Sequence, residues 1–405
     1  MLFIIAWRNI WRNKTRSMVI ILSVLIGLWA GIFIIAFFMG MTNEQIDTAI
    51  SQQYSHMQVH HPKFRELDEP VYTIQNREKV VELVKHEPGV IAASERTVIT
   101  AMAASAYTSS GITLLGVDPE EEAAVTGLSE RTGQGRYLEE NGHNQLLIGN
   151  KLLRKLKLEP NSKLILTFQD ASGDLTSAAF RITGVFTAAS SFNEENIVYI
   201  NRRELDSLAG FRGGIHELAI LLQSNDQLEN IAASLRQKLP GGTRLETWKQ
   251  LSPDLRLMID SFEQYMYIII GILLIALAFG IVNTMLMSVL ERQKELGVLM
   301  AVGLNKRKLF SMILLETIGI TFLGCLAGLP LAWLTVMITS KTGINLSQFS
   351  EGLAMYGYGN IIYPSLESSY YWKVAGMSIS AAILAAIYPA YKALQLQPAV
   401  AIRKI

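Results

Sequence analysis

The sequence predicts an α+β membrane protein: four transmembrane helices plus a large two-lobed α+β extracytoplasmic domain inserted between spans 1 and 2. Three observations predict it. Apolar residues make up 50% of the 405-residue chain and charged residues only 18%, yet the apolar ones collect in one block near the N-terminus and three towards the C-terminus. Each block, at 18–41, 266–290, 312–337 and 372–391, holds the roughly 20 residues a helix needs to cross a bilayer core. Between the first two lies a mixed stretch of about 220 residues, too long for a structureless connection.

The first block runs from Met18 to Met41. It is longer than the roughly 7–15 residues of a signal-peptide apolar region, and no small-residue cleavage site closes it, so it reads as a span. Orientation follows from Lys and Arg close to the spans. Arg8, Arg12, Lys14 and Arg16 precede span 1; Arg292, Lys294, Lys306, Arg307 and Lys308 lie between spans 2 and 3; Lys392, Arg403 and Lys404 follow span 4. The connection between spans 3 and 4 has only Lys341 before Lys373. Both termini and the 291–308 loop are therefore expected in the cytoplasm, and the segment 42–265 outside it.

The chain then divides into a cytoplasmic amphipathic helix at 1–16, span 1 at 17–41, a first α+β part at 42–116 and an inserted β-rich lobe at 117–214. A second α+β part at 215–251 leads to a stalk continuous with span 2 at 252–290. A cytoplasmic helix and turn at 291–308, span 3 at 309–340, an extracytoplasmic loop at 341–371, span 4 at 372–391 and a cytoplasmic tail at 392–405 complete it. In the N-terminal helix Arg8, Arg12 and Arg16 form one stripe and Trp7 and Trp11 another, the pattern of a helix lying at the headgroup level. Within the outer domain, strands are expected at 54–60, 90–116, 163–168, 178–187, 196–200, 216–223 and 243–248. Helices are expected near 76–87, 149–157, 202–209 and 226–238. Span 3, with Gly324, Gly328 and Pro330, is expected to bend. The pairs Gly27/Gly31 and Gly324/Gly328 allow close helix approach, either inside one bundle or along a dimer seam.

Composition and motifs exclude several functions. The net charge of +1 gives no sign of nucleic-acid binding, and the single Cys325 has no partner for a disulfide. No GxSxG elbow, HExxH helix or Cys/His pair occurs. His56, His60 and His61 lie together, but zinc sites recruit ligands from more than one element, so these read as solvated strand histidines and not as a metal site. No GxxxxGK[ST] phosphate loop is present, so any ATP that drives the protein is bound by another chain. The chain itself is not expected to be an enzyme.

The run 252–308 is the most informative. Ser252 and Pro253 are a capping hydroxyl and an N1 proline, and nothing breaks the helix from there to Leu290. At 1.5 Å per residue, about 39 residues make a rod of roughly 58 Å, against a bilayer core of about 30 Å. The surplus, with Asp254, Arg256, Asp260 and Glu263, forms a stalk. Beyond the membrane, Leu296, Val298, Leu299 and Val302 give a short helix one apolar side, and Gly303 and Asn305 turn the chain. That apolar side needs a cover, either the membrane surface or a partner protein.

The run ERQKELGVLMAVGLNKRKLFSMILLE resembles the permease signature of the MacB/FtsX-like ABC transporter superfamily, and YPAYKALQLQPAVAIRKI resembles its closing pattern, with Pro389, Ala390, Ala393, Pro398 and the Ala-Ile-Arg at 401–403. One span, a large domain and three further spans match that layout over essentially the whole chain. The passages LLGVDPEEE (114–122) and LPGGTRLETWKQLSP (239–253) are most similar to LolC/LolE-type subunits of lipoprotein-releasing complexes. The hairpin at 168–180 is shorter than the carrier-recruiting loop of that type.

The resemblance implies a mechanotransmission permease in the bacterial inner membrane, with its domain in the periplasm. Its implied partners are cytoplasmic ATPase subunits holding ATP and Mg, a second permease chain forming a homo- or heterodimer, a lipoprotein or other amphipathic substrate and, as a further candidate, a periplasmic carrier. The coupling helix falls at 291–303, with Glu291, Arg292, Glu295, Leu296, Gly297 and Gly303 at matching positions. A substrate cavity would be lined by Phe33, Phe37 and Met41 on span 1 and Phe262, Tyr265, Met266 and Ile269 on span 2; the competing reading of these residues is lipid contact or helix packing. Lipoprotein release leads. MacB-like export of a peptide, antibiotic or other amphipathic molecule, and FtsX-like control of a cell-wall hydrolase, remain alternatives.

Overall fold

The computed structural model describes residues 2–67, 69–211, 213–355 and 358–395. The closing pattern at Pro398 and 401–403 lies outside them. The chain forms two compact units: one comprises the chain up to Thr42, Ile259–Asn345 and Ile361 onward, the other Asn43–Met258 with Leu346–Asn360.

Four helices are long and apolar enough to cross a membrane: Lys14–Ala49, Pro253–Glu291, Lys306–Thr342 and Ser368–Leu394. The first outruns its expected end at Met41. Hydropathy marks where the apolar run stops, but TNEQIDTA contains no helix breaker, so the helix continues to Ala49 and into a π-helical turn at Ile50–Tyr54. The strand expected from residue 54 accordingly begins at Met57. Span 3 runs as one helix from Lys306 to Thr342, through Pro330.

Inside the first unit the small residues serve packing between helices of the same chain. A Cβ added at Gly324 would stand 2.7 Å from Val24, and one at Gly328 3.3 Å from the Leu25 Cα, so span 3 meets span 1 almost backbone to backbone. Gly31 lies likewise against Leu273 and Gly27 against Leu277 of span 2. Close approach lets weak dispersion contacts add up where lipid offers no hydrophobic drive. Trp29 Nε1 donates to Thr335 Oγ1 at 3.0 Å, tying spans 1 and 3 again. The segment after the short ladder of Ile344–Asn345 with Ile361–Ile362 crosses span 1 at Gly40, where a Cβ would come within 2.3 Å of the Tyr363 carbonyl oxygen. Ser365 N donates to the Ala36 carbonyl there.

The second unit is built on ten strands: β1 Met57–His60, β2 Val90–Ala104, β3 Ser109–Val117, β4 Thr132–Gly135, β5 Gln145–Gly149, β6 Lys163–Gln169, β7 Leu175–Phe186, β8 Ile197–Asn201, β9 Glu217–Leu222 and β10 Arg244–Thr247. They belong to one sheet, but the strand pairs close a ring within it: β2–β3–β8–β5–β7–β6 and back to β2. Closure hides strand edges, and Ile99, Leu114, Leu146, Leu166, Phe168 and Phe180 share the core of this β-rich lobe. Outside the ring, β9, β1 and β10 continue from β2.

The expected lobe boundary at 117 therefore needs correction. The ring takes in all of β3 and the second half of β2, so the two lobes share one long strand. Residues 90–96 of β2 pair with β9, while 101–104 pair on the same edge with β6.

The histidine reading also needs correction. β1 lies between β9 and β10 and all four of its residues are buried, so neither face is solvated. His60 is 1% exposed and its Nε2 lies 3.0 Å from Glu246 Oε2. His56 is buried too; its Nδ1 accepts from Leu222 N, and burial pushes its imidazole pKa down. Among the described residues no group of three or more His, Cys, Asp or Glu is placed to hold a metal.

Candidate coupling site

The helix Pro253–Glu291 ends at Arg292, whose φ of −98° and ψ of 18° break the α conformation, and a new helix runs from Gln293 to Ala301. Its far end closes in a Schellman motif: Leu304 N donates to the Leu299 carbonyl and Gly303 N to the Met300 carbonyl. Gly303 holds φ at +102°, with open space where a side chain would stand. Asn305 then caps span 3 through its side-chain oxygen, which accepts from Arg307 N at 3.2 Å. These residue types sit where the motif requires them.

The expected apolar face of this helix divides in two. Leu296 and Gly297 are buried, Leu296 in the core of the helical bundle. Val298, Leu299 and Val302 are exposed, Val302 at 83%. Glu291, Lys294 and Glu295 are exposed beside them. One side thus anchors the helix, and the other presents an apolar patch with charged neighbours.

Charge fixes the anchor. Arg292 Nη1 reaches both carboxylate oxygens of Glu316 in span 3, at 3.2 and 3.3 Å. Its Nε donates to Glu295 Oε2 at 3.2 Å, and the same oxygen accepts from Arg12 Nη2 of the N-terminal helix Leu2–Arg12. Burial pushes the Glu295 carboxyl pKa up, but the bonds and charges of Arg12 and Arg292 outweigh this and hold it below its usual range. The N-terminal helix is itself seated: Ala6 and Ile10 are buried, and Ile10 abuts Gly319 of span 3, while Trp7 and Trp11 are exposed and meet edge to face. Four alternating charges, Arg12–Glu295–Arg292–Glu316, therefore run from the N-terminal helix through the inter-span helix into span 3. Sequence reading placed Glu295 and Arg292 here but missed Arg12 and Glu316. The signals were a lone acid at the start of span 3 and the arginine stripe.

Of the residues expected around a substrate cavity, Met266 is buried in the bundle core. Phe33, Phe37, Met41, Phe262 and Ile269 are half-buried and Tyr265 is exposed. Phe33 stacks on Trp29 with centroids 6.3 Å apart. A small cleft between spans 1, 2 and 4, of about 20 Å³, is lined by Gly27, Gly31, Leu273, Leu277, Val374 and Ser378, and none of the seven candidates borders it.

Residues 17–238, more than half of the chain, match a family profile described as a MacB-like periplasmic core domain, and residues 267–398 match one described as an FtsX-like permease C-terminal domain. This chain belongs to the MacB/FtsX family of ABC transporter permeases. The LolC lipoprotein-releasing system transmembrane protein of Xylella fastidiosa is 20% identical over 71% of this permease and 72% of its own length. An ABC transporter permease of Bacillus subtilis, YvrN, is 24% identical over 82% and 87%. The crystal structure of the periplasmic region of MacB from Actinobacillus actinomycetemcomitans aligns with 49% of this permease and 92% of its own chain, at 12% identity and a TM-score of 0.36. Membership in the family implies an ATPase partner for the permease.

The glycine at the turn offers a test of whether this inter-span helix couples to that partner. Gly303→Val forces a β-branched residue into a left-handed conformation, at a cost of about 1–2 kcal/mol, although no neighbour obstructs it. The expected result is a weakened ATPase response in the reconstituted complex, with Gly303→Asn, which tolerates positive φ, close to the unaltered protein. Equal activity of both variants would show that the turn geometry does not matter.

Proposed function

We propose that this permease transmits the motion of cytoplasmic ATPase subunits, which hold the ATP and Mg, to a periplasmic domain, and that the work extracts lipid-anchored proteins from the outer leaflet of a bacterial inner membrane. The observation that carries the reading is the unbroken helix Pro253–Glu291, joined through one residue to a helix with an exposed apolar patch and a charged anchor. A rod with a handle at its end is a device for passing force. It needs no bond chemistry of its own. Both termini lie in the cytoplasm in this reading, since Lys and Arg flank the spans on that side.

A second permease chain fits along span 2. Ile268, Ile272, Ile275 and Phe279 are all exposed and recur at intervals of three and four, the spacing of a two-helix seam. The glycines are used inside this chain, so in this reading the seam is carried by larger apolar side chains. The lipid-anchored substrate is supported by relatives named lipoprotein-releasing proteins in Xylella fastidiosa and Neisseria meningitidis, the latter 21% identical over 80% of this chain.

A photo-crosslinking amino acid at Tyr265 tests the substrate. In native membranes it should capture lipoprotein, with capture changing during ATP turnover. Phospholipid as the sole product in every nucleotide state, or a cell-wall hydrolase bound at the large domain, would sink the lipoprotein reading.

A further inference from the structure

The N-terminal helix Leu2–Arg12 keeps a face that neither span 3 nor the inter-span helix covers. Ile4, Trp7 and Trp11 are exposed beside the buried Ala6 and Ile10. Arg8 is exposed one turn before Arg12, and Lys14 is exposed at the start of the next helix. Neither Arg8 nor Lys14 makes an ion pair among the described residues. The first 16 residues hold four cations, Arg8, Arg12, Lys14 and Arg16, and no acid.

The neighbours of this helix fix its depth. Ile10 abuts Gly319, which lies inside the apolar block of span 3. Ser17 Oγ donates to the Ile10 carbonyl at 2.6 Å and closes the corner with the first long helix. Lys14 stands four residues before the apolar run begins at Met18, about 6 Å of helix, and the headgroup layer on each side of a bilayer is about 5–8 Å thick. An apolar face with two tryptophans at that depth, bordered by unpaired cations, is complementary to an anionic lipid surface. An acidic water-soluble protein would meet the cations but would have to displace lipid from the apolar face beside them.

Arg12 is the contested cation. Its side chain and that of Glu295 are each about half exposed, and exposed pairs of this kind hold weakly. If Arg12 leaves, Glu295 Oε2 still accepts from Arg292 Nε at 3.2 Å, so the exchange strands no buried charge. We propose that anionic phospholipid binds at Arg8 and Lys14 and competes with Glu295 for Arg12, releasing the inter-span helix from the N-terminal helix. The consequence for coupling rests on the force-transmitting function proposed above; the binding and the competition do not.

The test uses the purified full chain in a neutral detergent, with bound lipid counted by native mass spectrometry. The probes are dimyristoyl phosphatidylglycerol and dimyristoyl phosphatidylcholine. The glycerol lipid should bind more tightly than the choline lipid, and the preference should shrink as salt rises. One basic residue at an anionic surface contributes about fivefold, so Arg8→Gln/Lys14→Gln should weaken binding of the glycerol lipid about 25-fold. Competitors for one group are linked reciprocally: Glu295→Gln should strengthen that binding about fivefold, and Arg12→Gln/Glu295→Gln should lose the gain. All four positions are exposed, so the variants keep the fold. Equal binding of both lipids, no gain in Glu295→Gln, or a gain that persists without Arg12 would overturn the proposal. So would a role for Arg8 and Lys14 seen only with an ATPase subunit bound, which would assign the face to that protein. In the reconstituted complex, a rising fraction of the glycerol lipid should lower the coupled ATPase response, and Arg12→Gln should remove this dependence. Binding as stated, with an ATPase response indifferent to lipid, would count against the force-transmitting function and not against the site.

Discussion

Replacing Arg292 by Met is expected to abolish the coupled ATPase response and to cost about 3–5 kcal/mol of stability, as breaking a buried ion pair from one side does. The two links of the charge relay are not equal. Arg292 and Glu316 have side chains only 14% and 8% exposed, so removing the guanidinium leaves a carboxylate where water cannot replace it. Arg12 and Glu295 are each about half exposed, and exposed pairs contribute roughly 0–1 kcal/mol. Arg12→Met should therefore change stability little while loosening the inter-span helix from the N-terminal helix. The double variant Arg292→Met/Glu316→Leu should recover most of the stability but not the coupling, because the apolar pair fills the space without fixing the start of the inter-span helix. Thermal unfolding and ATPase activity of the reconstituted complex measure the two effects separately. If Arg12→Met proved as damaging as Arg292→Met, the assignment of the anchor to span 3 would be wrong. The outer link carries a pH signature as well. The Glu295 carboxyl is held below its usual value, so its contribution is present above the ordinary carboxyl range and is lost as pH falls through the lowered value.

What could be read from the sequence was whatever is decided locally. Ser252 and Pro253 marked the start of the long helix to the residue, because a hydroxyl followed by an N1 proline acts within one turn. Gly303 and Asn305 marked the turn for the same reason. Span 1 was misjudged at its outer end because hydropathy measures solvent preference, whereas the helix ends where backbone geometry changes, at Ser55. Pairings between distant residues left no local trace. Arg12 and Glu295 are 283 residues apart and Arg292 and Glu316 24 apart. The ring of strands closes through β2 and β6, which alternation alone cannot distinguish from an open sheet. The histidines around β1 were read as solvated; in the fold β1 pairs with β9 on one edge and β10 on the other and all four of its residues are buried, which the strand's own composition does not reveal.

In the large domain, removal of the Arg96 charge should be the most damaging single change. Arg96 is 3% exposed and Glu122 not at all. Its Nε and Nη2 donate to the two carboxylate oxygens of Glu122, both at 2.9 Å, and its Nη1 donates to Glu217 Oε1 at 2.7 Å. Ser94 Oγ and Thr126 Oγ1 complete the shell around Glu122. Arg96 stands on β2 at the residue where pairing passes from β9 to β3, so the network pins the shared strand where one lobe gives way to the other. Arg96→Met should cost about 3–5 kcal/mol, whereas Arg96→Met/Glu122→Leu should recover most of it, since a packed apolar pair avoids the desolvation of both charges. Denaturant unfolding of the full chain gives the stability difference, and chymotrypsin sensitivity within 90–130, which holds Tyr107, Leu114, Leu115 and Leu128, reports whether the junction has opened. Recovery of stability together with continued opening of the junction would mean that the charges set the angle between the lobes. Recovery of both would mean that they fill space and that the geometry of the shared strand alone holds the lobes in place.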